Sequence, residues 1–67
     1  MSVATVTEIS ATSEQSFEDA VRQGIERANK TLRNIQGAWV KDKNVMIQDG
    51  NITGYQVNLE VTFVLDD

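Results

Sequence analysis

Gly54-Tyr55-Gln56-Val57-Asn58-Leu59-Glu60-Val61-Thr62-Phe63-Val64-Leu65 is the stretch that decides the fold. Every odd position in it is apolar, and the even positions from Gln56 to Thr62 are polar. Side chains in a strand alternate between two faces, so this pattern predicts an antiparallel strand with one buried face and one polar face. Another element of the chain must cover the apolar face.

The preceding residues supply a partner strand and the turn that joins the two. Asp49-Gly50-Asn51 combines the residue types that favour a tight hairpin turn. Residues 36–48 contain Trp39, Val40, Val45 and Ile47 and read as a long strand. Residues 36–65 are therefore predicted to form a hairpin.

A helix between residues 14 and 34 would cover this hairpin. Its apolar residues recur at spacings of three and four, which places them on one stripe; they are Phe17, Ala20, Val21, Gly24, Ile25, Ala28 and Leu32. Gly24 in mid-helix indicates close approach of a strand. Thr12 or Ser13 is the expected cap, with Gln15 as capping-box partner. Residues 3–10 alternate β-branched and small side chains and predict a first strand, which ends at Ala11-Thr12-Ser13.

The predicted fold class is α+β, as one β-α-β-β domain over residues 1–67 with a three-stranded antiparallel sheet packed on one helix. A chain of 67 residues forms a marginal core. It contains no Cys and no His, so disulfides and the usual zinc ligands are excluded. Self-association is the remaining way to bury the sheet edges and the uncovered face.

Composition also limits the function. The net charge is −4 and the six basic residues are scattered, which argues against nucleic-acid binding. The start of the chain resembles no signal peptide and no run is long enough to span a membrane, so a cytoplasmic location is expected without membrane partners. Ser10, Ser13 and Ser16 have no histidine partner and are interpreted as capping or turn residues, so no enzyme is predicted.

One stretch of the sequence matches a calcium-binding pattern but does not fit the predicted strands. Five residues match positions of an EF-hand loop, namely Asp49, Asn51, Thr53, Gly54 and Glu60. The flanking segments read as strands rather than helices, and an extended segment after the turn would carry Glu60 away from Asp49. No metal site is predicted from this pattern.

The order of these elements resembles the dodecin family. The resemblance rests on three stretches: Thr12-Ser13 followed by Phe17; Ala20-Val21, Gly24-Ile25-Glu26-Arg27-Ala28 and Thr31-Leu32; and the strand from Tyr55 to Leu65. It implies a hollow shell of twelve subunits that stores or sequesters a flavin (riboflavin, FMN or FAD) without catalysis. In this family, flavins lie in pairs between symmetry-related tryptophans, and a glutamine bonds to the ring edge.

Transferred to this chain, the family pattern is incomplete. Gln56 matches the ring-contacting glutamine, but Gly37 stands in place of the stacking tryptophan and Asn44 in place of an arginine that many bacterial members carry. Trp39 lies two residues from Gly37 and would face the same side. Either Trp39 stacks on a ligand from a shifted position, or it packs on a neighbouring subunit. Two alternatives also apply to Gln56. Its amide either contacts the flavin ring, or it bonds only to a partner subunit or to water.

The candidate cofactor-binding residues are therefore Gln56, Gly37, Trp39 and Met46. The alternative function is a structural or cation-binding shell that has lost its flavin. In that case Glu60, Asp42 or Asp67 would supply the cation ligands, because the net negative charge of the chain favours cations.

Overall fold

The computed structural model describes residues 3–65. Strand β1 spans Ala4–Ser13, helix α1 Phe17–Ala28, strand β2 Ile35–Gln48 and strand β3 Asn51–Val64. The sheet order is β1-β3-β2, and both neighbouring pairs are antiparallel. The predicted β-α-β-β fold, with one helix on a three-stranded antiparallel sheet, is confirmed.

The core lies between the central strand and the helix. Val57, Leu59 and Val61 of β3 are fully buried, as is Ala20 of α1. Each of the three larger side chains contributes roughly 1.5–3 kcal/mol when it leaves water. Both neighbouring strands pair with β3, so the odd positions of this one strand organise the fold.

Gly24 allows the helix to approach the sheet, as the sequence predicted. A Cβ at this position would lie 3.0 Å from Cβ of Ala11 and 3.4 Å from Cδ1 of Leu59. A separation of 3.0 Å is tighter than ordinary van der Waals contact, and Ala11 sits on a paired strand that yields little. The packing therefore favours glycine at this position.

The predicted start of the helix was wrong. Ser16 is the N-cap, and its hydroxyl accepts the N–H of Asp19 at 3.0 Å. Neither Thr12 nor Ser13 caps the helix, because β1 continues through both residues and Ser13 pairs with Tyr55. Pairing with β3 keeps this segment extended beyond its predicted end at Ser10. The Ser13 hydroxyl instead accepts the N–H of Gln15 in the turn, at 2.9 Å.

The predicted end of the helix, at Asn34, was also wrong. Helix α1 ends at Ala28. The N–H groups of Thr31 and Leu32 both bond to the Ala28 carbonyl and close a turn. Asn34 then adopts a left-handed conformation with φ of 58°, which directs the chain into β2.

The hairpin turn is one residue shorter than the three-residue signal suggested. Asp49 and Gly50 have φ values of 52° and 78°. Two consecutive residues with positive φ form the turn that matches the twist of a two-residue hairpin. Asn51 is therefore the first residue of β3 and pairs with Gln48, so β3 begins earlier than the predicted Gly54.

The helix covers only part of the sheet. Twelve residues form a helix about 18 Å long, whereas the protein extends over 51 Å in its longest direction. The distal end of the hairpin carries the exposed side chains of Ile47 and Ile52, which pair with each other. Over residues 3–65, no helix has the length and apolar character needed to cross a membrane.

Candidate functional site

The candidate site is the sheet face that points away from the helix, which we call the open face. It carries the even positions of β1 and β3 and the β2 residues opposite them. Its four rows across the sheet are Thr12–Gln56–Asn44, Ser10–Asn58–Asp42, Glu8–Glu60–Trp39 and Val6–Thr62–Gly37. No element of the described chain covers these side chains, and most of them are polar.

Gln56 is held in one orientation by both neighbouring strands. Its Nε2 donates to Oγ of Ser10 at 2.9 Å, and its Oε1 accepts from Nδ2 of Asn44 at 3.4 Å. A primary amide has two N–H donors and two acceptor lone pairs. These bonds use one of each, so Gln56 retains a donor and an acceptor for the edge of a planar ligand.

The middle rows are acidic and carry one basic side chain. Glu8 and Glu60 are directly opposite each other, and Asp42 accepts from Nδ2 of Asn58 at 2.5 Å. Lys41 sits at an irregularity in β2, between Val40 and Asp42, and its Nζ lies 3.1 Å from Glu8. The hydrogen bond to Glu8, aided by the attraction of that carboxylate, raises the pKa of Lys41. The bridge reduces the repulsion between the two glutamates.

Trp39 is the most exposed large apolar side chain of the described residues, at 75%. It lies opposite Glu60, one row from Gly37, and both face the open side. A Cβ on Gly37 would have no heavy atom within 4 Å. The position that Gly37 occupies therefore has room for a larger side chain, and Trp39 stands beside that space.

Within one chain, Gln56 and Trp39 do not lie together. Gln56 is four residues from Glu60 along β3, and Glu60 is the partner of Trp39. At about 3.3 Å per residue the two rows are about 13 Å apart. Gly37 lies one row farther away. The structure therefore joins Gln56 to Ser10 and Asn44, and leaves Trp39 and Gly37 at a second location on the same face.

Met46 lies on the opposite side of Gln56 from Trp39. It pairs with Gly54, and its Cε would be 3.2 Å from a Cβ built there. Two residues along β3 separate Gly54 from Gln56, or about 7 Å. Met46 thus lies in the row next to Gln56, whereas Trp39 and Gly37 are not near Gln56.

Cation ligands do not converge within residues 3–65. That part of the chain contains no group of three or more carboxylates arranged to hold a metal ion. Asp42 bonds to Asn58, and Glu60 lies in the neighbouring row. Asp67, the third suggested ligand, lies outside the described residues.

A second polar cluster ties the start of the helix to the end of β1. Asp19 is 7% exposed and accepts from Oγ of Ser13 and Nη2 of Arg22, each at 2.6 Å, and from Nε2 of Gln23 at 2.5 Å. The Ser13 bond and then the Arg22 bond lower the pKa of Asp19. Every oxygen of this buried carboxylate is satisfied, so the cluster stabilises the fold rather than offering a ligand site.

Sequence reasoning missed Ser10 as a partner of Gln56. It assigned Ser10 to a cap or turn, but this residue lies within β1 and on the open face. The sequence did carry a signal for this role, in the alternation of its side chains. Glu8, Ser10 and Thr12 are three polar residues at alternate positions, as on the polar face of β3. That pattern identifies a polar strand face opposite Gln56.

Comparison with known proteins is consistent with this architecture. The dodecin family model matches residues 3–66. The dodecin of Thermus thermophilus is 38% identical over 60 residues, which are 90% of this chain and 87% of that protein. The chain therefore belongs to the dodecin family.

Solved structures of relatives show the same fold. The dodecin from Streptomyces davaonensis superposes with a TM-score of 0.94 at 36% identity, covering 98% of this chain and 97% of that one. A calcium dodecin from Mycobacterium tuberculosis, described as calcium-chelating and as having a novel calcium-binding site, superposes with a TM-score of 0.83 at 31% identity. That match covers 96% of this chain and 91% of that one.

Proposed function

We propose that this chain is a flavin-binding and flavin-storing protein that acts without catalysis as a homo-oligomeric shell of twelve subunits. The observation that carries the proposal is the Gln56 amide, fixed by Ser10 and Asn44 and still able to donate and accept on the open face. A flavin ring edge presents both kinds of hydrogen-bonding group, so an oriented amide complements it. On the sequence reasoning alone, we place the protein in the cytoplasm.

Trp39 is the proposed stacking partner. An indole that is 75% exposed on a folded domain is available for contact with a flat ring. Stacking on an aromatic side chain contributes roughly 1–3 kcal/mol by analogy with nucleic-acid bases. Because Trp39 and Gln56 are about 13 Å apart along β3 within one chain, we propose that they reach one ligand from different copies.

Self-association therefore forms part of the proposed site. Strands β1 and β2 each pair on one side only, which leaves two sheet edges. Apolar side chains remain exposed on the hairpin, including Val40, Ile47 and Ile52. Closed symmetric assembly buries both kinds of surface. Membership of the dodecin family supports self-association, and the number twelve is part of the proposal.

A titration of riboflavin tests the proposal. We expect the purified protein to quench flavin fluorescence, and Gln56→Ala to weaken binding by about two- to twelvefold, since a hydrogen bond to a neutral partner contributes roughly 0.5–1.5 kcal/mol. Gln15→Ala is the matched control, because this exposed glutamine lies in the turn before the helix. No quenching at high micromolar protein would eliminate a flavin function.

A cation-binding shell is the second candidate. Glu8, Glu60 and Asp42 give the open face its acidic character, and the relative from Mycobacterium tuberculosis binds calcium. Carboxylates from several copies could complete a site that one chain lacks. Calcium titration followed by calorimetry tests this candidate, with Glu60→Gln expected to reduce the heat. A protein that purifies yellow and shows no calcium heat would rule it out.

A further inference from the structure

The charges of the open face bear on which flavin it accepts. Glu8, Asp42 and Glu60 are negative and Lys41 is positive, so three charges against one leave a net charge of −2 on this face of each chain. Lys41 is already engaged, because its Nζ lies 3.1 Å from Glu8. An additional anion would have to compete with that carboxylate for the ammonium group.

The other basic residues lie elsewhere. Arg22 is bonded to Asp19 at the start of the helix, and Arg27, Lys30 and Arg33 belong to the helix or the turn that follows it. Lys43 pairs with Val57, and its Nζ lies over the Phe17 ring at 5.3 Å on the helix side of the sheet. Within residues 3–65 the open face thus offers one ammonium group and no guanidinium.

From this distribution we propose that the open face selects flavins without phosphate, so that riboflavin and lumiflavin bind more tightly than FMN and FAD. This inference rests on the proposed function, because it concerns the ligand of the same site. A phosphate monoester carries nearly two negative charges at pH 7. Bringing it to a face with net charge −2 is unfavourable, whereas the uncharged ring and ribityl chain experience no such repulsion.

The expected size of the effect follows from Coulomb's law. Two negative charges about 10 Å from two others, in water at 10 mM salt, weaken binding by about tenfold. The Debye length falls from about 30 Å at 10 mM to about 3 Å at 1 M salt. The difference between FMN and riboflavin should therefore shrink to within about twofold at 1 M salt.

The experiment is a set of fluorescence titrations with riboflavin, lumiflavin and FMN at 10 mM and 1 M salt. We expect the ratio of the FMN to the riboflavin dissociation constant to be about ten at low salt. Glu60→Gln should lower that ratio several-fold, because it removes one charge from the open face. Glu26→Gln, which removes the same charge from the exposed side of the helix, should leave the ratio unchanged.

The possible outcomes separate this inference from the function on which it rests. Tight riboflavin binding with a salt-dependent penalty for FMN supports both. Riboflavin binding with FMN equal or tighter at 10 mM salt overturns the selectivity and leaves flavin binding intact. Absence of quenching by every flavin overturns the proposed function together with the selectivity.

Discussion

Nε2 of Gln56 donates a hydrogen bond of 2.9 Å to Oγ of Ser10, across the boundary between β3 and β1. The two residues are far apart in sequence, and the bond exists because Ser10 pairs with Asn58, one row from the Thr12–Gln56 pair. Asn44 approaches Gln56 from the other strand. The sheet thus fixes the amide that the proposed ligand site depends on.

Removal of the hydrogen bond between Gln56 and Ser10 should weaken ligand binding without affecting assembly. For Ser10→Ala we expect flavin affinity to fall by about three- to tenfold, because the Gln56 amide would be held only by its bond to Asn44 and an amide donor would lose its partner. Riboflavin titration measures the affinity, and native mass spectrometry measures the assembly. Thr12→Ala is the control: Thr12 lies directly opposite Gln56, but the amide bonds to Ser10 instead. An equal loss in both variants would argue against a specific role for the bond.

Introducing an aromatic ring at residue 37 should strengthen flavin binding. A Cβ on Gly37 meets no heavy atom within 4 Å, so Gly37→Trp can place an indole on the open face. An added stacking contact worth roughly 1–3 kcal/mol corresponds to a gain of about 5- to 150-fold in flavin affinity. Gly37→Ala controls for the change in backbone freedom. If Gly37→Trp binds flavin no better than Gly37→Ala, the flavin ring does not lie beside residue 37.

The close contact between helix and sheet can be tested at Gly24. Alanine favours a helix by roughly 1 kcal/mol over glycine, but the new methyl would lie 3.0 Å from Cβ of Ala11. We expect the clash to dominate, so that Gly24→Ala lowers the free energy of unfolding by about 1 kcal/mol, and Gly24→Val by more. Chemical denaturation followed by circular dichroism provides the measurement. Gly37→Ala, which meets no neighbour, should change stability little; a more stable Gly24→Ala would contradict this view of the packing.

Acid should destabilise the fold through Asp19. Hydrogen bonds from Ser13 and Arg22 hold the pKa of Asp19 below its ordinary value of 3.8 in the folded state. The stabilisation is therefore complete above about pH 4 and is lost as the pH falls through the folded-state pKa, where the carboxylate takes up a proton. Denaturant midpoints measured from pH 2 to 7 should drop below pH 4, and Asp19→Asn should flatten that drop. The exposed Glu14→Gln serves as the control and should retain the wild-type profile.

The parts of the fold that follow from local pattern were predictable. Alternation along residues 54–65 identified the buried side of β3, and the three-four spacing identified the buried stripe of the helix. Gly24 was correctly interpreted as a close approach. These features depend on the spacing of apolar residues within one segment, so they can be predicted without knowing how the strands pair.

The parts that depend on pairing between distant segments were not predictable. Thr12 and Ser13 stay extended because they pair with Gln56 and Tyr55. As a result the N-cap is Ser16 and the helix starts at Phe17. The partners of Gln56 likewise follow from register across three strands. The 13 Å between the Gln56 and Trp39 rows follows from the bulge in β2 near Lys41 as well as from the strand rise. Sequence spacing alone gave the candidate residues but not their separation.

We propose that the chain works as a closed assembly of identical copies whose contacts complete a flavin site. Sedimentation velocity at neutral pH, with absorbance recorded at the protein and flavin bands of the same sample loaded with riboflavin, tests it most directly. We expect one species with the mass of twelve chains, and flavin absorbance that sediments with it. A stable monomer at micromolar concentration, or an assembly that leaves all the flavin at the meniscus, would contradict it.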